Sequence, residues 1–591
     1  MPFLVSRSTA GCRQARMVNE KPRHLVLGPL LRHVDETSAV IWVEAGHRGD
    51  VSVHIGERSW HTATFCAHGH HYALVDVDHL EPGSAQEYSV RVDDHEVWPP
   101  ADGEGAAMPT SRIRTLDQRP LRFVFGSCRT SVPHDAETNQ SHGVDALRAL
   151  ALRMMQTSDG SESPDGGDQT WPDLVLFLGD QVYADVTSDA MRDFIAARRS
   201  LDEPPGEELK DYEEYAHLYA LAWSDPANRW LLATLPSAMI FDDHDIRDDW
   251  NTSYDWRRMI EATWWWHGRI VAGLASYWVY QHLGNLSRAE REQDRLWQHV
   301  LELRESGVDD ITELLDQFAE RADAYPDSYR WSYARDLPGA RLIVLDSRAA
   351  RILQPDDRQM MDPVEADWLA GNVCGDVDHL FIATSLPFLL PMGLHEAEAW
   401  SEAIAQGAWG RRVAQLGEKL RRSVDLEHWG AFQQSFRDVA AMVTEVAEGA
   451  RGASPATVTF LSGDVHHSYL AEVERGQGAD GTRILQAVCS PIRNPLPRMV
   501  RIGQAATAKR GFVAATSFLA RRAGVPEPPF EWSITEGPWF SNMLATVQLR
   551  GRQLAMRWEA ADLRDGDDRA PVLHTVHEFV VPAPESQAAR S

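Results

Sequence analysis

Cysteines and basic residues are scarce in this 591-residue chain, and it has no long hydrophobic run. The five cysteines (Cys12, Cys66, Cys128, Cys374 and Cys489) are too few and too scattered for a disulfide framework, which indicates a reducing compartment. Lys and Arg total 58 against 87 Asp and Glu, and the resulting charge of −29 disfavours duplex nucleic acid as a partner. Because no segment approaches the ~20 apolar residues of a membrane span and the N-terminus lacks a secretory apolar core, we expect a cytoplasmic protein without a membrane span.

The composition is that of a multidomain globular protein, with 43% hydrophobic and 25% charged residues. The pattern along the chain predicts four regions, which are a disordered tail over 1–20, an N-terminal β-sandwich over 21–116, a larger domain over 117–582 and a tail over 583–591. The oligomeric state leaves no signal in the sequence.

The N-terminal region alternates polar and apolar residues in short segments separated by Gly, Pro and Asp, as in "SAVIWVEA", "DVSVHIG" and "EYSVRVDD". This period of two, with turn residues at regular spacing, predicts an antiparallel β-sandwich. The turn Pro82-Gly83, which leads into the strand with Tyr88, is similar to a fibronectin type III or immunoglobulin-like module. The stretch 99–111 is rich in Pro, Gly and Ala and is predicted to be a linker.

The larger domain changes to continuous apolar runs at 121–128, 173–180, 237–245, 340–348, 378–387 and 456–467. Such runs are typical of strands buried on both faces, in sheets covered by helices, where the chemistry gathers at the carboxyl ends of the strands. Residues 187–235, 254–325 and 395–450 have apolar residues at three- and four-residue spacing and predict helical insertions. We therefore expect a mixed α/β fold, in which the tryptophans at 264–266 pack between helices.

The segment "MIFDDHDIRDDWN", residues 239–251, places five Asp residues around His244 at the end of one apolar run. Crowded carboxylates need cations or strong donors nearby, or they stay protonated. The residues alone leave three interpretations open, which are a metal site, a solvated acidic loop and a helix cap.

Four runs end in residues that can bind metals. These residues are Cys128; Asp180 with Tyr183; Asp243 with His244; and Asp464 with His466. Taken singly, Gly-Asp after a strand is typical of a helix cap, and a lone Cys is typical of a packed apolar residue. Taken together, they predict one site at a common rim. Thiolate, phenolate and carboxylate ligands favour a highly charged ion such as ferric iron, and a second set of oxygen donors suits calcium, magnesium or manganese.

The ordered motifs "FGSCRTS", "LGDQVYAD", "IFDDHDIRDDWN", "VLDSR" and "LSGDVHHS" resemble those of the alkaline phosphatase D (PhoD-like) branch of the metallophosphoesterases. The resemblance implies a metallophosphoesterase β-sandwich flanked by helices, and iron together with calcium or another divalent metal (Mg, Mn or Zn). By position it implies that Cys128, Asp180 and Tyr183 bind iron with Asp180 bridging, that His244 is catalytic, and that Asp243, Asp464 and His466 are further ligands.

The chain departs from the family in one relevant place. Asp248 and Asp249 stand where the family often has an Asn for the second metal, so we expect Asp248 to be a ligand. Arg129 is expected to donate to the phosphate, with a structural salt bridge as the alternative, and Asp346 with Arg348 to form a buried ion pair beside the site. His467 is expected in a supporting or packing role, and His428 carries no motif.

The resemblance implies hydrolysis of a small phosphate ester, in which metal ions lower the pKa of a bridging water so that hydroxide attacks phosphorus. His244 would protonate the leaving group or steady the transition state. The sequence does not separate monoesters from diesters. A different class of function is a catalytically inactive metal-binding or interaction protein that retains the fold.

Overall fold

The computed structural model describes residues 25–101, 108–157, 171–423, 426–474, 481–497, 501, 507 and 509–583. The predicted tail over 1–20 and nearly all of the predicted tail over 583–591 lie outside these residues, as do 102–107 of the predicted linker. Within the described part of the chain, no helix is long and apolar enough to cross a bilayer.

The strands are β1 Leu25–Val34, β2 Ala39–Ala45, β3 Asp50–Ile55, β4 Arg58–Ala63, β5 Phe65–Ala67, β6 His70–Val77, β7 Ala85–Glu87, β8 Ser89–Val92, β9 His95–Trp98, β10 Arg112–Arg114, β11 Arg122–Gly126, β12 Leu174–Leu178, β13 Ser237–Ile240, β14 Tyr333–Leu337, β15 Ala340–Leu345, β16 His379–Thr384, β17 Thr457–Ser462, β18 Ser468–Val473, β19 Arg483–Val488, β20 Trp532–Trp539, β21 Met543–Arg550, β22 Gln553–Leu563 and β23 Pro571–Val581.

The α-helices are α1 Ala136–His142, α2 Ala146–Gln156, α3 Asp189–Arg198, α4 Tyr212–Trp223, α5 Pro226–Thr234, α6 Tyr254–Glu261, α7 Trp266–Tyr277, α8 Arg288–Gln293, α9 Arg295–Glu305, α10 Thr312–Ala324, α11 Pro363–Asn372, α12 Met392–Ala405, α13 Arg411–Ser423, α14 Gln433–Ala447 and α15 Arg510–Arg522. Helix α7 continues into a π-helical turn at Trp278–His282.

The N-terminal strands form two four-stranded antiparallel sheets, β1-β2-β6-β5 and β4-β3-β8-β9. Their inward-facing residues, among them Ile41, Val53 and Val90, share one hydrophobic core. A short strand after the predicted linker, β10, pairs with β7. The alternating pattern of this region thus places its apolar residues between the two sheets.

The larger domain is built on two mixed sheets. One has the order β13-β12-β11-β21-β22-β23, and the other has the order β14-β15-β16-β17-β19-β18-β20. Strands β11 to β13 are parallel, and so are β15, β16, β17 and β19. Each of the six apolar runs predicted as strands contains one, and they divide three and three between the two sheets.

The two sheets pack face to face, and helices cover their outer faces. Phe123 of β11 and Phe381 of β16 meet edge to face between the sheets, with ring centroids 5.3 Å apart. On the outer face of the second sheet, Phe460 packs in one cluster with Phe436 and Val443 of α14. The strands of the six apolar runs are therefore buried on both faces, which explains why these segments are continuously apolar.

The three consecutive tryptophans divide between the interior and the surface. Trp266 packs edge-on against Trp256 at 5.6 Å, as predicted. The packing prediction is wrong for Trp264, whose side chain is 66% exposed under the ammonium group of Lys210. Helical spacing does not distinguish a residue at the edge of a buried stripe from one just outside it.

The contact between the two sheets predicts a large loss of stability when its aromatic residues are truncated. Phe123→Ala should lower the free energy of unfolding by about 3–5 kcal/mol, because it leaves a cavity where no side chain can relax into place. Phe518→Ala is the matched control, since this ring is 60% exposed and its loss should cost less than about 1 kcal/mol. Equal shifts of the urea midpoint in the two variants would contradict this account of the core.

Candidate metal centre

The four strand ends that the sequence singled out meet at one edge of the sandwich, and they come from both sheets. Cys128 follows β11, Asp180 follows β12 and Asp243 follows β13 in the first sheet, whereas Asp464 follows β17 in the second. The Cys128 Sγ lies 3.4 Å from Asp180 Oδ2 and 3.6 Å from the backbone oxygen of Asp464. The site is therefore formed across the cleft between the two sheets.

The backbone is strained where it presents these side chains. Cys128, Asp180, Asp464 and His466 all have positive φ, between 51° and 61°, a region that residues other than glycine rarely adopt. The preceding turn of the second sheet is also very close to the first, because a Cβ on Gly463 would lie 1.9 Å from Ser127 Oγ. Strain of this kind persists where the surrounding structure fixes it, and it is concentrated at functional sites.

Three groups of donor atoms at this edge have a spacing suited to a cation. The groups are Cys128, Asp180 and His466; Asp180, Asp243 and His244; and Asp242, Asp243 and Asp464. Within each group the ligand atoms lie within 4.8 Å of one another. Asp180 and Asp243 each belong to two groups, so the groups form a continuous row. The predicted ligands Cys128, Asp180, Asp243, Asp464 and His466 are thus brought together, and Asp242 joins them.

The electrostatics of the row indicate that it is built for cations. Burial raises the pKa of the Cys128 thiol, the Asp180 carboxyl and the Asp243 carboxyl well above their usual values. Burial also lowers the pKa of His466 to about 4, which leaves its imidazole neutral and able to bind a metal. Ionised oxygen and sulfur atoms at this depth need a positive partner.

Two buried carboxylate oxygens of the row lack a hydrogen-bond partner, which fits a bound cation. Across the described residues, Asp180 Oδ1 and Asp242 Oδ2 are buried carboxylate oxygens that accept no hydrogen bond. Buried polar atoms without a partner are costly, and a coordinated ion supplies one. The residues present therefore fit a metal centre, with a thiolate and an imidazole at one end and carboxylates at the other.

His244 belongs to the middle donor group, and its ring is oriented by Asp185, a residue that the sequence prediction did not assign. Its Nδ1 is 2.9 Å and 3.0 Å from the two carboxylate oxygens of Asp185, and its ring lies 4.7 Å from that of Tyr183. Burial alone lowers the pKa of His244, but Asp185 and Asp243 outweigh it and raise this pKa well above its usual value. Asp185 stands in the motif "LGDQVYAD" and could have been noticed there.

Arg348 is buried beside the row, but the predicted pair with Asp346 is wrong. The Asp346 carboxylate accepts backbone N–H groups of residues 348–350. The Arg348 guanidinium instead pairs with Asp242, with Asp243 at 3.3 Å and with Glu427 at 2.7 Å. The motif "VLDSR" suggested a pair, whereas the turn directs the two side chains to different partners. Arg348 thereby supplies a fixed positive charge to the acidic row.

Two further predictions are not supported by the geometry. The Asp248 side chain is 67% exposed, with its carboxylate 3.9 Å from His244 Nε2, and it belongs to none of the three groups. Positive φ at Asp249 marks the sharp turn by which the chain leaves the site. The Arg129 guanidinium is buried in a pair with Asp145 at 2.8 Å and donates to the Ala222 carbonyl, which favours the alternative of a structural salt bridge.

Two more residues at the site were missed in the sequence. His428 Nε2 lies 3.2 Å from Asp464 Oδ2, and its Nδ1 lies 2.7 Å from Glu398. Asn494 donates a hydrogen bond of 2.9 Å to the Tyr183 hydroxyl, which in turn lies 3.4 Å from Asp180 Oδ2. His428 stands in no motif, whereas Asn494 lies in the loop "CSPIRNP" after β19, which by its position at a strand end could approach the site.

Two segments of the chain match known protein families. Residues 167–301 match the family described as PhoD-like phosphatase, a segment that contains Asp180, Tyr183, Asp243 and His244. This segment is similar to a PhoD-like phosphatase domain. This confirms the resemblance that the motifs indicated. Residues 22–113 match a separate family, described as a domain of unknown function (DUF7800).

The chain also shares its fold with a solved protein. A structure titled "Structure of PhoD" aligns with a TM-score of 0.56 and 14% identity, and the match covers 95% of this chain and 91% of the other. A type III pullulan hydrolase from Thermococcus kodakarensis aligns with 11% identity over 91% of this chain and 94% of the other, but the TM-score of 0.13 shows no common fold. No curated protein matches the chain.

The geometry predicts which aspartates bind metal. Asp180→Asn should lower the affinity for at least one metal by on the order of tenfold or more, because Asp180 belongs to two donor groups. Asp248→Asn makes the same chemical change on an exposed side chain and should leave the metal content unaltered. Elemental analysis by mass spectrometry of the two purified proteins measures this. Loss of metal from the Asp248 variant alone would reverse the assignment.

Asp245 supports the row through hydrogen bonds, and its raised pKa predicts that the free energy of unfolding depends on pH. Its carboxylate accepts the N–H groups of Asp180 and Asp242 and the Gln281 amide of the π-helical turn, and burial raises its pKa to about 7. The unfolded chain releases this proton near its ordinary pKa, so the cost of ionising Asp245 is fully present above pH 7 and is relieved as the pH falls.

Chelator-treated wild type should therefore gain roughly 1–3 kcal/mol of stability relative to Asp245→Asn when the pH is lowered from 8 to 5. Urea unfolding of both proteins at each pH measures the difference, and the comparison cancels the contributions of the other titrating groups. A difference that stays constant with pH would mean that Asp245 is ionised throughout.

Proposed function

We propose that the chain is a metal-dependent phosphoric ester hydrolase that acts on a small mono- or diester. The observation that carries the proposal is the continuous row of three donor groups, with Asp180 and Asp243 each shared between two of them. Phosphoryl transfer depends on positioning and on neutralisation of charge, and adjacent cation sites supply both. The match of residues 167–301 to the PhoD-like phosphatases supports the same chemistry.

We infer that the two ends of the row bind different metals. Cys128, Asp180 and His466, together with the nearby Tyr183 phenol, offer sulfur, nitrogen and anionic oxygen donors that suit ferric iron. Asp242, Asp243 and Asp464 offer only carboxylate oxygens, which suit calcium or another hard divalent ion such as magnesium or manganese. When bound, the cations would neutralise phosphoryl oxygens and lower the pKa of a bound water.

In this proposal His244 is the catalytic residue and acts as a proton donor, so the other donors of the row hold the cations. Because Asp185 accepts a hydrogen bond from Nδ1–H, the other ring nitrogen, Nε2, is left to face the ester. The raised pKa keeps the ring protonated, so Nε2–H can donate to the leaving oxygen. Asp185 is the positioning residue, since it fixes both the orientation of the ring and the nitrogen that carries the exchangeable proton.

Arg348 and His428 neutralise part of the negative charge of the row, so less charge is required from metal ions. Arg348 neutralises part of the negative charge of Asp242 and Asp243 from the protein side. His428, which is held by Glu398, also acts on Asp464. Burial raises the pKa of this carboxyl, but the hydrogen bond and charge of His428 together with the charge of Arg348 outweigh burial and lower the pKa to about 2. Asp464 is thus ionised and oriented before any cation is bound.

The test of the proposal is hydrolysis of p-nitrophenyl phosphate and bis(p-nitrophenyl) phosphate by protein purified without chelators. We expect release of nitrophenol from at least one of them, and loss of this activity after metal removal. The ratio of the two rates separates a monoesterase from a diesterase. Bound metal with no hydrolysis of either ester, or of a wider set of phosphate esters, would instead favour the non-catalytic binding protein.

At the residue level, His244→Gln should lower kcat on the better ester by about 10²–10⁴-fold, because it removes the proton donor to the leaving group. The iron content should be unaltered, since His244 is absent from the donor group with Cys128 and His466. His267→Gln is the control, as this imidazole is 71% exposed on helix α7. An unaltered kcat in His244→Gln would remove this residue from the proposed mechanism.

A further inference from the structure

The carboxylate of Asp248 lies beside the imidazole that donates the proton in the proposed mechanism. Its Oδ1 is 3.9 Å from His244 Nε2, and the side chain is 67% exposed to solvent. Asp248 belongs to none of the three donor groups, so the row of metal ligands is complete without it. An acidic side chain therefore borders the space in front of His244 Nε2 without serving as a ligand.

One buried carboxylate fixes the backbone of Asp248 relative to His244. Asp185 accepts hydrogen bonds from His244 Nδ1 and from the backbone N–H of Asp248. The next residue, Asp249, has a φ of 64° and donates its N–H to Asp243 Oδ2 at 3.0 Å. The segment that carries the Asp248 side chain is thus held against the row, while the side chain itself reaches solvent.

The spacing places this carboxylate close to the leaving group of the proposed reaction. A hydrogen bond from Nε2–H of His244 to the leaving oxygen would span roughly 3 Å. Because Asp248 Oδ1 is 3.9 Å from the same nitrogen, it lies within roughly 7 Å of that oxygen. This is less than the Debye length of about 8 Å in physiological salt, so a charge on the leaving alcohol interacts with Asp248 directly.

The positive charges near Asp248 are already paired with other carboxylates. His244 is paired with Asp185, and Arg247 forms two hydrogen bonds to Glu208, at 2.9 Å and 3.2 Å. In the described part of the chain, His244 is the only basic residue that forms an ion pair with Asp248. The negative charge of Asp248 is therefore not neutralised by the protein, and a cationic group of a ligand would complement it.

We propose that Asp248 determines specificity for the leaving group, so that the protein favours phosphate esters whose leaving alcohol carries an ammonium group and disfavours those whose leaving alcohol is anionic. This inference rests on the proposed function and names the substrate class of the same site. The chemical step is unchanged, because His244 gives its proton to the leaving oxygen and Asp248 does not touch the reacting atoms.

Such an ester would be oriented by charge at both of its ends. Cations in the row attract the phosphoryl oxygens, whereas Asp248 attracts the ammonium group of the leaving alcohol. An ester bound the other way round would place its phosphoryl oxygens against a carboxylate. Asp248 therefore acts on the orientation of the ester as well as on its affinity, and we expect its effect in kcat/KM.

The test compares two isosteric esters, 3-(aminomethyl)phenyl phosphate and 3-ethylphenyl phosphate, with the full-length, metal-loaded protein. Asp248→Asn should lower kcat/KM for the ammonium ester by about three- to tenfold relative to the ethyl ester, because a neutral amide replaces a charge a few ångströms away. Each ester is compared with itself in the two proteins, so differences in the reactivity of the phenols cancel. Methyl diesters of the same phenols are used if the wild type hydrolyses only diesters.

The assay is made at pH 8. Partial burial raises the pKa of Asp248, although His244 and Arg348 oppose this, and the carboxyl must be ionised for the effect to appear. Asp248→Lys should reverse the preference, and 1 M salt should weaken it in the wild type. Asp94→Asn is the matched control, because it removes the same charge from an exposed turn between β8 and β9 and should leave the ratio of the two esters unaltered.

The outcomes separate this inference from the proposed function. Hydrolysis of both esters with the same ratio in wild type and in both Asp248 variants would overturn the inference and leave the hydrolase function intact. Loss of metal from Asp248→Asn would identify Asp248 as a ligand and would also overturn the inference. Hydrolysis of neither ester, nor of the nitrophenyl esters, would overturn the proposed function and this inference with it.

Discussion

The repulsion among Asp180, Asp242, Asp243 and Asp464, which converge at one edge of the sandwich, is the constraint on which the rest of the site depends. Ionised carboxylates at this depth are unstable unless positive charge lies within a few ångströms. Arg348, His244 and His428 supply part of this positive charge. Each of them is held in place by a further carboxylate outside the row. Coordinated cations would supply the remainder, which links the fold directly to the proposed chemistry.

The same constraint explains the local backbone. To bring ligand atoms from both sheets to one row, the turns after β11, β12 and β17 place Cys128, Asp180 and Asp464 at positive φ. These conformations cost free energy, and they persist because adjacent turns bond to one another, as the Asp464 N–H does to Ser127 Oγ at 3.0 Å. Backbone hydrogen bonds between the sheets also hold the site in shape, because the N–H groups of Ile492 and Arg493, which follow β19, donate to the carbonyls of Ser127 and Cys128.

Much of this arrangement could be predicted from the sequence, because the features responsible are local. Continuous apolar runs marked the six strands, and polar residues directly after them marked Cys128, Asp180, Asp243 and Asp464. The remaining features depend on contacts between distant segments. His428 reaches Asp464 from a helical insertion, and Arg348 meets Glu427 across the chain. The resemblance to the family suggested that Asp248 is a ligand, but the chain turns at Asp249 and the Asp248 side chain is exposed.

The origin of the ligands in both sheets has a consequence for the order in which the protein matures. Cys128 and Asp464 touch although 336 residues separate them. Closing so long a loop costs entropy before any contact compensates for it, so the row of donors forms only when nearly all of the larger domain has been synthesised and packed. A cation bound there crosslinks the two sheets and stabilises only the completed fold. Acquisition of metal at this site would thus come late in maturation and would be restricted to molecules that have folded correctly.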